Sequence, residues 1–159
     1  MTAVIAVRHN IEVAHRLYEN KGKCEQIHGH SMWVTLKLAG EINKKGFVDG
    51  IEFGDLKKDF RAYLDETFDH RLLLNAADPF ARPLYQVDAA EELDAESAKL
   101  FLSSKQVFLP GLQSMPGDPS TENIATWIFD EMAGMGYPVL LVEVWETAVN
   151  MATAYEGTH

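Results

Sequence analysis

His28-Gly29-His30 opens the run Ser31-Met32-Trp33-Val34-Thr35-Leu36-Lys37-Leu38, whose residue types suit a β-strand. Successive side chains of a strand point to opposite faces. His28, His30, Met32, Val34, Leu36 and Leu38 therefore share one face, and Trp33, Thr35 and Lys37 the other. The two imidazoles continue an apolar stripe, and neutral imidazoles spaced i, i+2 can converge on one zinc or similar ion. By the same alternation Ile11, Val13, His15 and Leu17 share a face, which adds a third candidate ligand. A lone histidine in such a place is more often a core residue with one hydrogen bond. Three of them, two bracketing a glycine, favour a metal.

Other residues suited to chemistry lie further along the chain. In Pro138-Val139-Leu140-Leu141-Val142-Glu143-Val144-Trp145-Glu146, alternation puts Leu140, Val142, Val144 and Glu146 on one side. A carboxylate in line with apolar residues is neutralised, paired or held for a ligand, unless the strand end brings it to water. Cys24 lies four residues before His28 in a polar loop, where Lys21 and Lys23 favour a thiolate able to act as base or nucleophile. Its alternative is a small buried apolar side chain. Asp69-His70 sets a carboxylate beside an imidazole, an arrangement that orients the ring and raises its basicity when the two face each other.

The elements that must carry these groups follow from periodicity. Strand-like segments near 4–17 and 29–42 pair most simply as a hairpin. Phe53, Leu56, Phe60, Tyr63, Leu64 and Phe68 recur as the stripe of an amphipathic helix over 53–68. A proline-containing surface excursion follows over about 76–118, with a short acidic helix near Asp88–Ser103. Asp118-Pro119-Ser120-Thr121 reads as a helix start, with Ile124, Ile128, Phe129 and Met132 as the buried stripe and Gly134 and Gly136 at its end.

Composition narrows the class. The chain has 159 residues, 47% hydrophobic, which suits a single domain over 1–159 with a full core. A net charge of −10 argues against a nucleic-acid or membrane-surface protein. The apolar N-terminus is short and broken by Arg8 and His9, so no signal peptide is expected, and no run is long enough for a membrane span. One cysteine cannot form an internal disulfide, which fits a reducing cytoplasm.

These residues carry a resemblance that covers nearly the whole chain. Ala14-His15-Arg16-Leu17, Cys24-Glu25-Gln26-Ile27-His28-Gly29-His30, Phe53-Gly54-Asp55-Leu56-Lys57, Asp69-His70-Arg71-Leu72, Pro119-Ser120-Thr121-Glu122-Asn123 and Glu146-Thr147, in that order, resemble the 6-pyruvoyltetrahydropterin synthase superfamily. The three-residue gap between Cys24 and His28 is similar to that of the bacterial 6-carboxytetrahydropterin synthases of the queuosine (7-deazaguanine) pathway. Glu52 differs from the pattern, in which aspartate commonly precedes the phenylalanine.

The resemblance implies an α+β tunnelling fold: an antiparallel four-stranded sheet with helices on one face, whose copies close into a barrel as a trimer or hexamer. It implies one Zn2+ per subunit on His15, His28 and His30, Cys24 as the base, and Asp69 and His70 as its proton-relaying partners, contributed between subunits. Glu146 is implied as the carboxylate that grips the pterin's amino-pyrimidine edge. Ser120, Thr121 and Glu122 help seat the ring, or else cap the helix. The implied substrate is 7,8-dihydroneopterin triphosphate, with Lys21, Lys23, Arg16 and Arg71 as candidates for the triphosphate, and the implied product is 6-carboxy-5,6,7,8-tetrahydropterin. The alternatives are a pyruvoyl-forming or side-chain-cleaving pterin enzyme on the same fold, a zinc hydrolase, and a non-catalytic pterin- or metal-binding homologue.

Overall fold

The computed structural model describes residues 1–79 and 112–157. Its frame is a hairpin of two 14-residue strands, β1 (Thr2–His15) and β2 (His28–Glu41), antiparallel in unbroken register from Thr2 opposite Glu41 to His15 opposite His28. α1 (Phe53–Thr67) returns the chain to β3 (Arg71–Asn75), which lies parallel to β1 along Val13–His15. β4 (Leu112–Met115) pairs in parallel with β3. α2 (Thr121–Gly134), β5 (Val139–Trp145) and β6 (Met151–Tyr155) complete the chain, giving one sheet of order β4-β3-β1-β2-β5-β6.

The architecture is α+β as expected, but the sheet has six strands rather than four, and its β1–β3 and β3–β4 pairings are parallel. β3, β4 and β6 hold only four or five residues each, too few for alternation to declare them. Residues 112–115, expected within the surface excursion, form β4; the acidic helix expected at Asp88–Ser103 lies outside the described residues. β1 ends at His15, so Leu17 leaves the stripe, and its N–H donates to the Cys24 carbonyl at 2.8 Å.

Both helices pack on one face of the sheet. Val7, Ile11 and Val13 of β1, Met32, Val34, Leu36 and Leu38 of β2, and Val142 and Val144 of β5 form one core with Leu56, Phe60 and Leu64 of α1 and Ile124, Ile128 and Met132 of α2. Burying each such side chain contributes about 1.5–3 kcal/mol, before the entropy of ordering the chain is counted. Phe53, expected in the stripe, is 48% exposed instead. Ser120 caps α2 by accepting from the Asn123 N–H, and Gly136, at φ +92°, supplies the left-handed residue just beyond its end.

The opposite face carries Arg8 stacked over Trp33 and a Lys37–Glu143 pair at 2.8 Å. Leu140 departs from its expected side. The β2–β5 ladder shifts between Lys37 and Leu38, so that Val139 opposes Leu38 and Leu141 opposes Lys37. Leu140 is the extra residue of this irregularity and stands 42% exposed. Among the described residues, no helix is long and apolar enough to cross a membrane.

Candidate metal centre

The hairpin register brings the histidines together. His15 opposes His28 and Val13 opposes His30, so the three imidazoles occupy neighbouring positions on the core face at the end of the hairpin where the connecting loop joins the two strands. Their rings lie 4.5–5.2 Å apart, centroid to centroid, and one ligand atom from each falls within 4.8 Å of the others. Gly29, between two of them, fits closely: a Cβ there would meet the Val13 carbonyl oxygen at 3.1 Å.

Hydrogen bonds orient two of the rings. His15 Nδ1 lies 2.7 Å from the Pro119 carbonyl oxygen and His28 Nδ1 lies 2.7 Å from that of Gln26. A carbonyl only accepts, so both Nδ1 atoms carry hydrogen and, in the neutral rings, leave the Nε2 lone pairs free. Nε2 of His15 and of His30 are buried with no hydrogen-bond partner among the described residues. Burial, followed by the neighbouring His28 and His30, lowers the pKa of His15 against the opposing pull of Pro119 and keeps its ring neutral near pH 7. Unpartnered imidazole nitrogens, tautomers fixed from behind, fit a divalent cation such as zinc.

Glu146 joins the trio, just past β5. Its Oε1 is 3.8 Å from His15 Nε2 and 3.6 Å from His30 Nε2, and its side chain is 22% exposed. The carboxylate thus sits over the imidazoles rather than out in water.

The Asp69–His70 pair lies between α1 and β3. Asp69 Oδ1 accepts from the Glu12 N–H at 2.8 Å, and the His70 N–H donates to the Glu12 carbonyl at 2.7 Å, which pins the pair to β1. Asp69 Oδ2 lies 3.7 Å from His70 Nε2, within ion-pair range but beyond a hydrogen bond. His70 is highly exposed and adopts φ +54°, a left-handed conformation uncommon outside glycine. It borders a groove of about 540 Å³ together with His30, Glu12, Ser31 and Arg71.

Cys24 is exposed, in a short 3-10 turn (Lys23–Glu25), and no described contact joins it to Asp69 or His70. Ser120 uses its hydroxyl oxygen for the helix cap, Thr121 is buried and Glu122 is exposed in the first turn of α2. Of the candidate phosphate-binding residues, Arg16 pairs with the buried Asp78 at 3.0 Å and Arg71 donates to the Glu66 carbonyl; Lys21 and Lys23 are exposed.

Two contributors escaped the sequence reading. Asp118 accepts from the Glu19 N–H at 2.7 Å and from Asn75 Nδ2 at 2.9 Å, tying the loop that leads to Cys24 and the end of β3 to the segment whose Pro119 carbonyl orients His15. No residue spacing announces such a junction. His9 meets Asp65 of α1 at 2.7 Å; it shares the alternation of Val7 and Ile11, so that signal was present.

The family model described as 6-pyruvoyl tetrahydropterin synthase matches residues 4–157. The chain is 26% identical to the 6-carboxy-5,6,7,8-tetrahydropterin synthase of Rickettsia conorii over 136 residues, covering 85% of this chain and 80% of that protein. It is 24% identical to the Haemophilus influenzae protein of the same name over 157 residues, covering 96% and 98%. An uncharacterized protein from Wolinella succinogenes superposes with a TM-score of 0.78 at 21% identity, covering 99% of each chain. The 6-pyruvoyl tetrahydropterin synthase of Caenorhabditis elegans superposes at 0.66 and 23% identity, covering 99% of this chain and 97% of that one.

Proposed function

The chain belongs to the 6-pyruvoyl tetrahydropterin synthase family, and on that premise we propose that it is a zinc-dependent lyase of 7-deazaguanine biosynthesis. It takes 7,8-dihydroneopterin triphosphate and water to 6-carboxy-5,6,7,8-tetrahydropterin, acetaldehyde and triphosphate. The observation that supports this reading most is the convergence of His15, His28 and His30, with two tautomers set by main-chain carbonyls. The names of the curated relatives point to the carboxy product.

Zinc bound by the three histidines supplies Lewis acidity toward the hydroxyls of the substrate side chain. Cys24 takes the proton from the side-chain carbon as general base, and Asp69 and His70 relay it. Because Cys24 and this pair share no described contact within one chain, a second copy completes the set, in a cytoplasmic trimer or hexamer. Glu146 grips the amino-pyrimidine edge, where a carboxylate accepts two parallel N–H bonds; Ser120, Thr121 and Glu122, at the helix start, help seat the ring.

Incubation of the zinc-loaded protein with 7,8-dihydroneopterin triphosphate, followed by mass analysis of the products, tests the assignment. Formation of the 6-carboxy product with acetaldehyde supports it. Formation of a 6-pyruvoyl product, or an unaltered substrate, overturns it.

A further inference from the structure

Three imidazoles account for a metal site by themselves, yet a fourth donor is aimed at the same point. At 3.6 and 3.8 Å from two Nε2 atoms, Glu146 Oε1 is too far for a hydrogen bond and too near for an intervening water molecule. The Nδ1 hydrogen of His15 is committed to the Pro119 carbonyl, so the neutral ring turns a lone pair toward the carboxylate. Two electron-rich atoms facing each other at low exposure repel, unless a cation lies between them. With zinc–nitrogen and zinc–oxygen bonds of about 2.0–2.1 Å, the edge of a coordination tetrahedron is about 3.3–3.4 Å. Both distances from Glu146 to the histidines exceed that edge by only a few tenths of an ångström, a gap that contraction around an ion would close.

The sheet explains why the carboxylate arrives there. Val144 of β5 opposes Val34 of β2. Continuing the ladder in antiparallel sense brings position 146 beside Met32, one pleat from His30 and on the same face. Among the described residues, no hydrogen bond holds the Glu146 carboxylate elsewhere, while its backbone is anchored by Glu146 N–H to the Asn150 carbonyl at 3.1 Å.

We propose that Glu146 Oε1 is the fourth ligand of the resting metal centre, closing the position that the histidines leave open. This rests on the three-histidine zinc reading above. Ligands able to displace the carboxylate, such as a side chain offering two adjacent hydroxyls, gain the metal; weak single oxygen donors do not. Glu146 is then free to turn to the incoming molecule, so its closure of the resting site and its part in substrate binding are successive states of one side chain.

The test uses metal alone, with Zn2+ and Co2+ titrated into the metal-free chain against a chromophoric chelator. Glu146→Gln removes the charge, and Glu146→Asp keeps the charge but withdraws the donor by one methylene. Both variants, checked as folded by circular dichroism, lose tenfold or more in affinity and shift the visible Co2+ bands, and the Gln variant binds azide more tightly at the vacated position. If Glu146→Asp keeps the wild-type affinity and spectrum, the carboxylate acts only through its charge and the proposal fails; wild-type affinity in Glu146→Gln overturns it equally. His15→Ala serves as the separate control: metal affinity unchanged in that variant overturns the three-histidine reading itself.

Discussion

Replacing Asp118 by alanine should loosen the proposed metal centre without touching any of its three histidines. The side chain accepts two hydrogen bonds, from the Glu19 N–H at 2.7 Å and from Asn75 Nδ2 at 2.9 Å. Hydrogen bonds to a charged acceptor contribute about 1.5–3 kcal/mol each, and because Asp118 is only half-buried the lower end applies, for a total of about 3 kcal/mol. Asn75 is 4% exposed, so its amide is left without that acceptor in a place water does not reach. In a chain of this length each kcal/mol moves the melting temperature by about 2–4 °C, so the metal-free variant melts about 6–12 °C lower. Release of the segment also frees the Pro119 carbonyl that orients His15, and losing such a supporting partner costs about 10–100-fold in metal affinity. Asp118→Asn keeps one acceptor for Glu19 but sets an amide against the Asn75 amide, so it loses about half the stability, about 1.5 kcal/mol. Thermal melting with and without zinc, beside a chelator competition, measures both effects. An alanine variant that melts within about 2 °C of the parent and binds zinc unchanged would refute the junction.

Cys24→Ala should keep its zinc and its melting temperature, since an exposed side chain away from special backbone typically changes stability by about 0.5 kcal/mol or less, yet lose turnover; full activity removes the base role. Phe60→Ala opens a void between α1 and the sheet and should cost about 3–5 kcal/mol in urea unfolding, with a loss under about 1 kcal/mol contradicting the packing described. The metal-free chain should weaken in acid. The folded pKa of His15 lies below its ordinary 6.5, so the unfolded chain binds more protons there, and stability falls as pH drops below about 6.5 until the folded pKa is reached. Urea midpoints at pH 5 to 7.5 test this, and His15→Gln should flatten that part of the profile.

The clustering of the three histidines was legible where two-residue periodicity governs. His15, His28 and His30 each share a face with core residues, and the hairpin register makes those faces meet. The same rule failed at Leu140, because an irregularity opposite Lys37 and Leu38 resets the alternation, a feature of the pairing rather than of either strand alone. It still placed Glu146 on the inner side, since the reset lies upstream of Val142. Strands β3 and β4 were hidden because parallel pairing joins segments distant in sequence and each is short. Asp118 was hidden for another reason. It works through main-chain and amide donors from three segments, and only the tertiary structure assembles them.

The hairpin's register bears on how the chain folds. All three imidazoles fall within residues 15–30, so gathering them closes only a short loop, whose entropic cost rises with the logarithm of its length. Closures of about ten residues take on the order of 10–100 ns, far less than assembly of a six-stranded sheet with parallel pairings. An ion captured by the unfolded chain would gauge strand alignment, since a slip of one residue turns a ring to the wrong side and breaks the chelate. Misaligned hairpins would be rejected at the first zippering step, before either helix has a surface to dock against.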